Sequence, residues 1–167
     1  LQTPVLVGRV TDQGALLRQS ALLLAELRTI VREHGIHHVI FEGPALTADL
    51  HWLRTLLQQL IDAHLGIKWE GHVGYAGLTR DLLEQARRAG CEGLTFEFAA
   101  LEALDHHQER AALTEAVRQA RELGMRANGR IQLDPAYSSI PAVVDMAATF
   151  SLDDVRFVIS RPEASPQ

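Results

Sequence analysis

The sequence predicts an α/β fold, an open partial (β/α) barrel of about six parallel strands with helices on the outside. Three observations carry this. Short runs rich in Val, Ile and Phe alternate with longer segments of three- and four-residue apolar spacing, the pattern of parallel βα units. Glycines stand where helix hands over to strand, at Gly35, Gly90 and Gly124. The count of clear strands is too small for a closed eight-stranded barrel. A doubly wound sheet of the flavodoxin kind uses elements of the same lengths and stands as the alternative.

Taken in order, residues 5–10 (Val5 to Val10) form a candidate first strand. Residues 15–34 place Leu16, Leu17, Leu23, Leu24, Leu27, Ile30 and Val31 at helical spacing and stop at His34-Gly35, where glycine suits a left-handed cap. His38 to Glu42 is a short strand ended by Gly43-Pro44. Thr47 is expected to cap a helix with Leu50, Leu53, Leu56, Leu57, Leu60 and Ile61 on one face. Ile67 to His72 is the next strand, and Thr79 caps a helix over 80–89 in which Asp81 and Glu84 favour the positive end. Leu94 to Phe98 is a strand, 107–123 a helix, Arg130 to Leu133 a strand, 141–149 a short helix, and Val155 to Ile159 the last strand. Residues 1–160 thus read as one domain and residues 161–167 as a tail or linker, Pro-containing and polar.

The bulk numbers narrow the function classes. A chain of 167 residues with 47% hydrophobic and 22% charged residues reads as one ordinary soluble domain. A net charge of −5, with the 16 basic residues scattered along helices, mostly as Arg, argues against nucleic acid as the partner. No run of about 18 apolar residues exists to span a membrane. A single cysteine excludes an internal disulfide and a cysteine-only metal site, and with no signal peptide visible the default setting is cytoplasmic.

The middle of the chain is its most specific part. Gly66-Ile67-Lys68-Trp69, then Leu78-Thr79 with Leu82-Leu83, then Ala89-Gly90-Cys91 with Gly93-Leu94 and Phe96, form one βαβ unit. This unit resembles the core of radical SAM enzymes, especially those carrying a cobalamin domain. Leu1-Gln2-Thr3-Pro4 with Gly8-Arg9 resembles the "C-Q-T-P…G-R" that follows the last cluster cysteine in those members, with Leu1 in the cysteine's place. Phe41-Glu42-Gly43-Pro44 with Thr47 and Asp49 resembles their "F-x-D-D-x-F-T-x-D". The resemblance covers nearly the whole chain and implies a barrel that binds S-adenosylmethionine beside a [4Fe–4S] cluster, with room for cobalamin and an upstream cobalamin-binding domain.

The chain also departs from the family. The cysteine triplet is missing, so S-adenosylmethionine and the cluster are expected only if an upstream segment supplies it. The acidic residue that would meet the cofactor's methionine amino group is Ala99 here, and the glycine of the turn after the fifth strand is Leu133, a side chain added where backbone must approach the ligand. Both changes point towards a diverged cofactor site.

Ligands of parallel βα folds collect at the carboxyl ends of the strands. Those ends offer Glu42, Glu70 with His72, Glu97, and Gln132 with Asp134 and Pro135, a set able to converge on a pocket rich in carboxylates. Glu42, His72, Glu97, Gln132, Asp134 and Pro135 are the candidate cofactor-binding residues. The plainer account leaves each as an exposed charge or the partner of a nearby Arg. Eight histidines give no metal signal, because His37-His38 and His106-His107 are adjacent pairs that point to opposite sides of a strand, and His34, His51 and His64 sit on helices facing solvent. Cys91 lies at the amino-terminal face of the sheet, where conserved structure rather than chemistry is expected, and reads as a buried thiol. Trp52 and Trp69 read as core or pocket wall.

Two functions follow. The first is the barrel portion of a radical SAM enzyme acting on an unidentified small molecule. The second is a diverged, non-catalytic domain that binds a partner or small molecule through the same face. An open barrel is also expected to expose a strand edge and an apolar interior, which favours self-association.

Overall fold

Alternation along the inner strands sorts their side chains into a helix-packed face and an open one. A computed structural model of the chain describes residues 5–9, 17–42, 45–99, 107–133 and 140–159. Among these, the strands are β1 (Val5–Arg9), β2 (His38–Glu42), β3 (Lys68–Val73), β4 (Cys91–Ala99), β5 (Arg126–Leu133) and β6 (Asp154–Ile159). The helices are α1 (Ser20–His34), α2 (Leu50–Ala63), α3 (Arg80–Arg88), α4 (His107–Glu122) and α5 (Ile140–Thr149), with a single 3₁₀ turn at Leu46–Ala48. The expected tail at 161–167 lies outside the described residues.

All six strands pair in parallel in the order β1-β2-β3-β4-β5-β6. A doubly wound sheet reverses its strand order partway, so this topology excludes it. When every crossover steps to the next neighbour with one hand, all helices fall on one face and the sheet curls. The result is an α/β half-barrel with helices around it. Buried positions alternate strictly in β2, β3 and β5. Val39, Phe41, Trp69, Val73, Leu94, Phe96, Ala127 and Ile131 meet the helices, whose own stripes supply Leu23, Leu27, Leu53, Leu57, Leu82, Leu83, Leu113 and Val117. Trp69 packs its ring 5.6 Å from Phe41 and donates its Nε1–H to Ala89 O at 3.1 Å, so it is core. Trp52 is partly buried and donates to Arg18 O at 2.7 Å.

Several expectations are corrected. Thr47 does not cap α2. Asp49 does, accepting from Trp52 N at 2.9 Å, while Thr47 Oγ1 accepts from Gly74 N at 2.8 Å and so ties the loop after β2 to the end of β3. His64 is not within the helix but ends it in a left-handed conformation at φ 47°. β5 begins four residues earlier than its apolar run, and β4 opens at Cys91, three residues before its expected start at Leu94. The open face is not apolar: among the described residues Ile40 and Val158 are its aliphatic members amid charged and amide side chains. Exposed large apolar groups lie at the β6 edge, where Phe157 and Ile159 are 41% and 67% accessible, and at Leu22 on α1 and Val144 on α5.

Candidate functional site

The side chains that alternate away from the helices line the inside of the half-barrel, and the strand register arranges them in rows. The lowest row is Ile40, Glu70, Gly93 and Arg126. Above it come His72, Thr95, Asn128 and Asp154, then Glu97, Arg130 and Arg156. The last row, towards the carboxyl ends, holds Gln132 and Val158. Together these strands enclose a cavity of about 630 Å³, bounded by Glu42, Glu70, His72, Thr95, Asn128, Arg130, Asp154 and Arg156 among others. That volume is in the range of small-molecule sites, roughly 300–1,000 Å³.

Two ionic clusters brace the lining. Near the amino-terminal end, Glu70 Oε1 accepts from His38 Nε2 at 3.3 Å and from Arg126. Higher up, Glu97 Oε1 accepts from His72 Nδ1 at 3.0 Å and from Arg130 Nη1 at 2.6 Å. The hydrogen bond from His72, and after it the guanidinium of Arg130, hold the Glu97 carboxyl below its ordinary range against a partial desolvation. Glu97 is therefore an ionised acceptor, which puts the His72 proton on Nδ1. Among the described residues, the second ring nitrogen of His72 has no hydrogen-bond partner.

Of the residues expected from sequence, Glu42 and His72 border the cavity, and Glu97 joins it through its bonds to His72 and Arg130. Gln132 is exposed on the same side of β5 but beyond the cavity's lining, and Asp134 and Pro135 lie outside the described residues. Glu70 is not at a carboxyl end; it is the third residue of β3 and is committed to Arg126 and His38. Sequence reading missed Thr95, Asn128, Arg130, Asp154 and Arg156. The signal was period-two alternation, had β5 and β6 been started at Arg126 and Asp154. Leu133 also needs correcting. Its side chain is 7% exposed and belongs to the core, so it points away from the cavity and adds no bulk there.

The residues present do not fit an iron–sulfur cluster. Cys91 is the chain's only cysteine, fully buried at the amino-terminal start of β4, with its thiol donating to Gly93 O at 3.5 Å and pushed up to about 12 by burial. Among the described residues no group of three His, Cys, Asp or Glu side chains is placed to hold a metal ion. No described helix is long and apolar enough to cross a membrane.

No protein-family model matches the chain, and no curated protein matches it by sequence. Solved structures do match. The radical S-adenosylmethionine methyltransferase TsrM from Kitasatospora setae, with cobalamin and a [4Fe–4S] cluster bound, superposes with a TM-score of 0.71 at 13% identity over 86% of this chain and 31% of its own. The same enzyme with tryptophan and a SAM analogue bound gives 0.76 at 12% identity, covering 93% and 36%. Coproporphyrinogen III oxidase (HemN) from Escherichia coli, a radical SAM enzyme, gives 0.67 at 11% identity, covering 96% and 45%. An N-acetylneuraminate lyase from Mycoplasma synoviae, a protein of another activity, gives 0.58 at 10% identity, covering 92% of this chain and 54% of its own. The chain shares the barrel fold of these proteins, and it spans roughly a third of the length of the two TsrM chains.

Proposed function

We propose that this chain is the barrel portion of a radical SAM enzyme, one in which S-adenosylmethionine is cleaved reductively at a [4Fe–4S] cluster held by cysteines outside these 167 residues. The observation that carries the reading is the polar cavity inside a barrel shared with TsrM and HemN. A closed eight-stranded barrel fills its interior with Val, Ile and Leu. This one places Glu42, His72, Thr95, Asn128, Arg130 and Arg156 there. Arg156 suits a carboxylate, Glu42 suits an amino group, and Thr95 and Asn128 suit hydroxyls. A zwitterionic nucleoside such as S-adenosylmethionine carries all three. Cobalamin enters through the likeness to TsrM alone, and the setting is taken as cytoplasmic.

A second reading is a diverged, non-catalytic domain that binds a partner or small molecule through the same face. The solitary buried Cys91 favours it, together with Ala99 at the position of the family's acidic residue.

The test is the coding DNA upstream of Leu1 and the longer polypeptide it encodes. An in-frame Cys-x-x-x-Cys-x-x-Cys, with formation of 5′-deoxyadenosine by the reconstituted, reduced protein, is the expected result. A stop codon there, or an intact triplet without 5′-deoxyadenosine, sinks the enzyme reading and leaves the binding domain.

A further inference from the structure

His72 is held more tightly than a lining residue needs, and in one particular state. Its Nδ1–H is tied to Glu97, and Glu97 is itself tied to Arg130 on the next strand. A second carboxylate on its own strand, Glu70, is already occupied by His38 and Arg126 and does not compete for the ring. The remaining nitrogen, Nε2, has no hydrogen-bond partner among the described residues and belongs to a residue that borders the cavity, with a side chain 21% exposed. Arg130 alone would suffice to neutralise Glu97.

The row that contains His72 supplies the rest. Thr95 on β4 and Asn128 on β5 follow it at successive strand spacings, about 4.8 Å apart. Both border the cavity, both are half-buried, and among the described residues neither side chain has a hydrogen-bond partner. Three neighbouring strands thus present one proton acceptor and two unused hydrogen-bonding groups in a line.

We propose that His72 Nε2 is the proton acceptor for a substrate hydroxyl, with Glu97 and Arg130 as its positioning residues and Thr95 and Asn128 as the groups that hold a hydroxyl-bearing small molecule against it. In the step, the substrate O–H bond breaks and its electron pair stays on oxygen. The proton forms a new N–H bond at Nε2, and the imidazolium keeps its other N–H on the Glu97 carboxylate, which offsets the new charge. No oxidant or metal takes part. The assignment stands apart from the radical SAM reading, since it concerns this chain's residues alone and its test uses neither S-adenosylmethionine nor a cluster.

The experiment uses the full chain in solution. ¹⁵N NMR of the neutral protein is expected to show His72 as the Nδ1–H tautomer. Glu97→Ala shifts the ring towards the Nε2–H form, while Glu97→Gln, whose amide oxygen still accepts, retains Nδ1–H. Diethyl pyrocarbonate then reports whether Nε2 is open. Trypsin releases His72 as the sole histidine between Lys68 and Arg80, and His64 as the sole histidine between Arg54 and Lys68, so the two are read separately. His72 is expected to be acylated in the folded chain, and xylitol, a soluble polyol, to slow its reaction several-fold while leaving His64 unchanged. An Nε2–H ring in the wild type, or an unreactive His72 beside a reactive His64, overturns the proton-acceptor assignment. Equal His72 rates with and without xylitol overturn the hydroxyl substrate.

Discussion

Gly90 closes the turn between α3 and β4, and replacing it with alanine should be among the most damaging small changes in the chain. Its φ is +96°, a conformation that costs a residue with a side chain about 1–3 kcal/mol. A Cβ there would also lie 2.2 Å from Ile67 O, a main-chain atom with no freedom to swing aside. The carbonyl must retreat by most of an ångström. It sits between two hydrogen bonds that start the sheet, Lys68 N to His37 O at 2.7 Å and Trp69 N to Gly90 O at 3.0 Å. Weakening one of these adds about 1 kcal/mol, and the total is about 3 kcal/mol. For a chain of this length that lowers the melting temperature by roughly 6–12 °C. Gly124→Ala is the control, because its φ is +76° but nothing lies within 4 Å of the added carbon. Only the backbone cost applies, about 1–2 kcal/mol. Urea unfolding followed by circular dichroism measures both variants. A Gly90→Ala midpoint at or above that of Gly124→Ala would refute the steric reasoning.

Two further outcomes follow from the charges. Glu97 is held below its ordinary range by His72 and then Arg130, so its contribution to stability is present above the unfolded carboxylate value, about 4.3, and is lost as pH falls through its folded value. The urea midpoint of the wild type should therefore drop more between pH 7 and pH 3 than that of Glu97→Gln, and equal drops would show the pairing to be absent in solution. Burial pushes the Cys91 thiol up to about 12, so iodoacetamide at pH 8 should leave the folded chain unmodified and alkylate it fully in urea. Stoichiometric labelling without denaturant would contradict the burial.

What the sequence made legible was hydrophobic pattern, and what it hid was pattern written in small residues. β2 reads directly because Val39 and Phe41 fill its two buried positions, and its bounds at His38 and Glu42 hold. The first half of β5 buries Ala127 and Gly129 instead, since Leu152 packs so closely that a Cβ on Gly129 would stand 2.7 Å from its Cδ1. No hydropathy rule sees a strand there, and Asn128 was lost with it. β6 was read from Val155, which dropped Asp154 from the cavity in the same way. The cap of α2 failed for another reason. Thr47 and Asp49 are both cap residues by type, and only the approach of Gly74 to Thr47 decides between them. The His72–Glu97–Arg130 cluster joins residues 25 and 33 positions apart, a pairing set by strand register alone.

The placement of Leu133 changes the balance between the two functional readings. From sequence, a leucine at a family glycine looked like an obstruction beside the ligand. In the folded chain, residues 127, 129, 131 and 133 share the helix-facing side of β5, so the added side chain joins Phe98, Val143 and Phe150 in the core. The concave side at that level carries Gln132 instead, and Arg130 below it remains turned towards the cavity. A substitution that strengthens the wall from behind is no sign of a decaying site. Charged side chains around the cavity are paired, Glu97 with His72 and Arg130, Glu70 with His38 and Arg126, and Asp154 with Arg156. Thr95, Asn128 and the second nitrogen of His72 are instead left without protein partners among the described residues. The argument for an inactive domain therefore rests on the solitary buried Cys91 and on Ala99 at the position of the family's acidic residue.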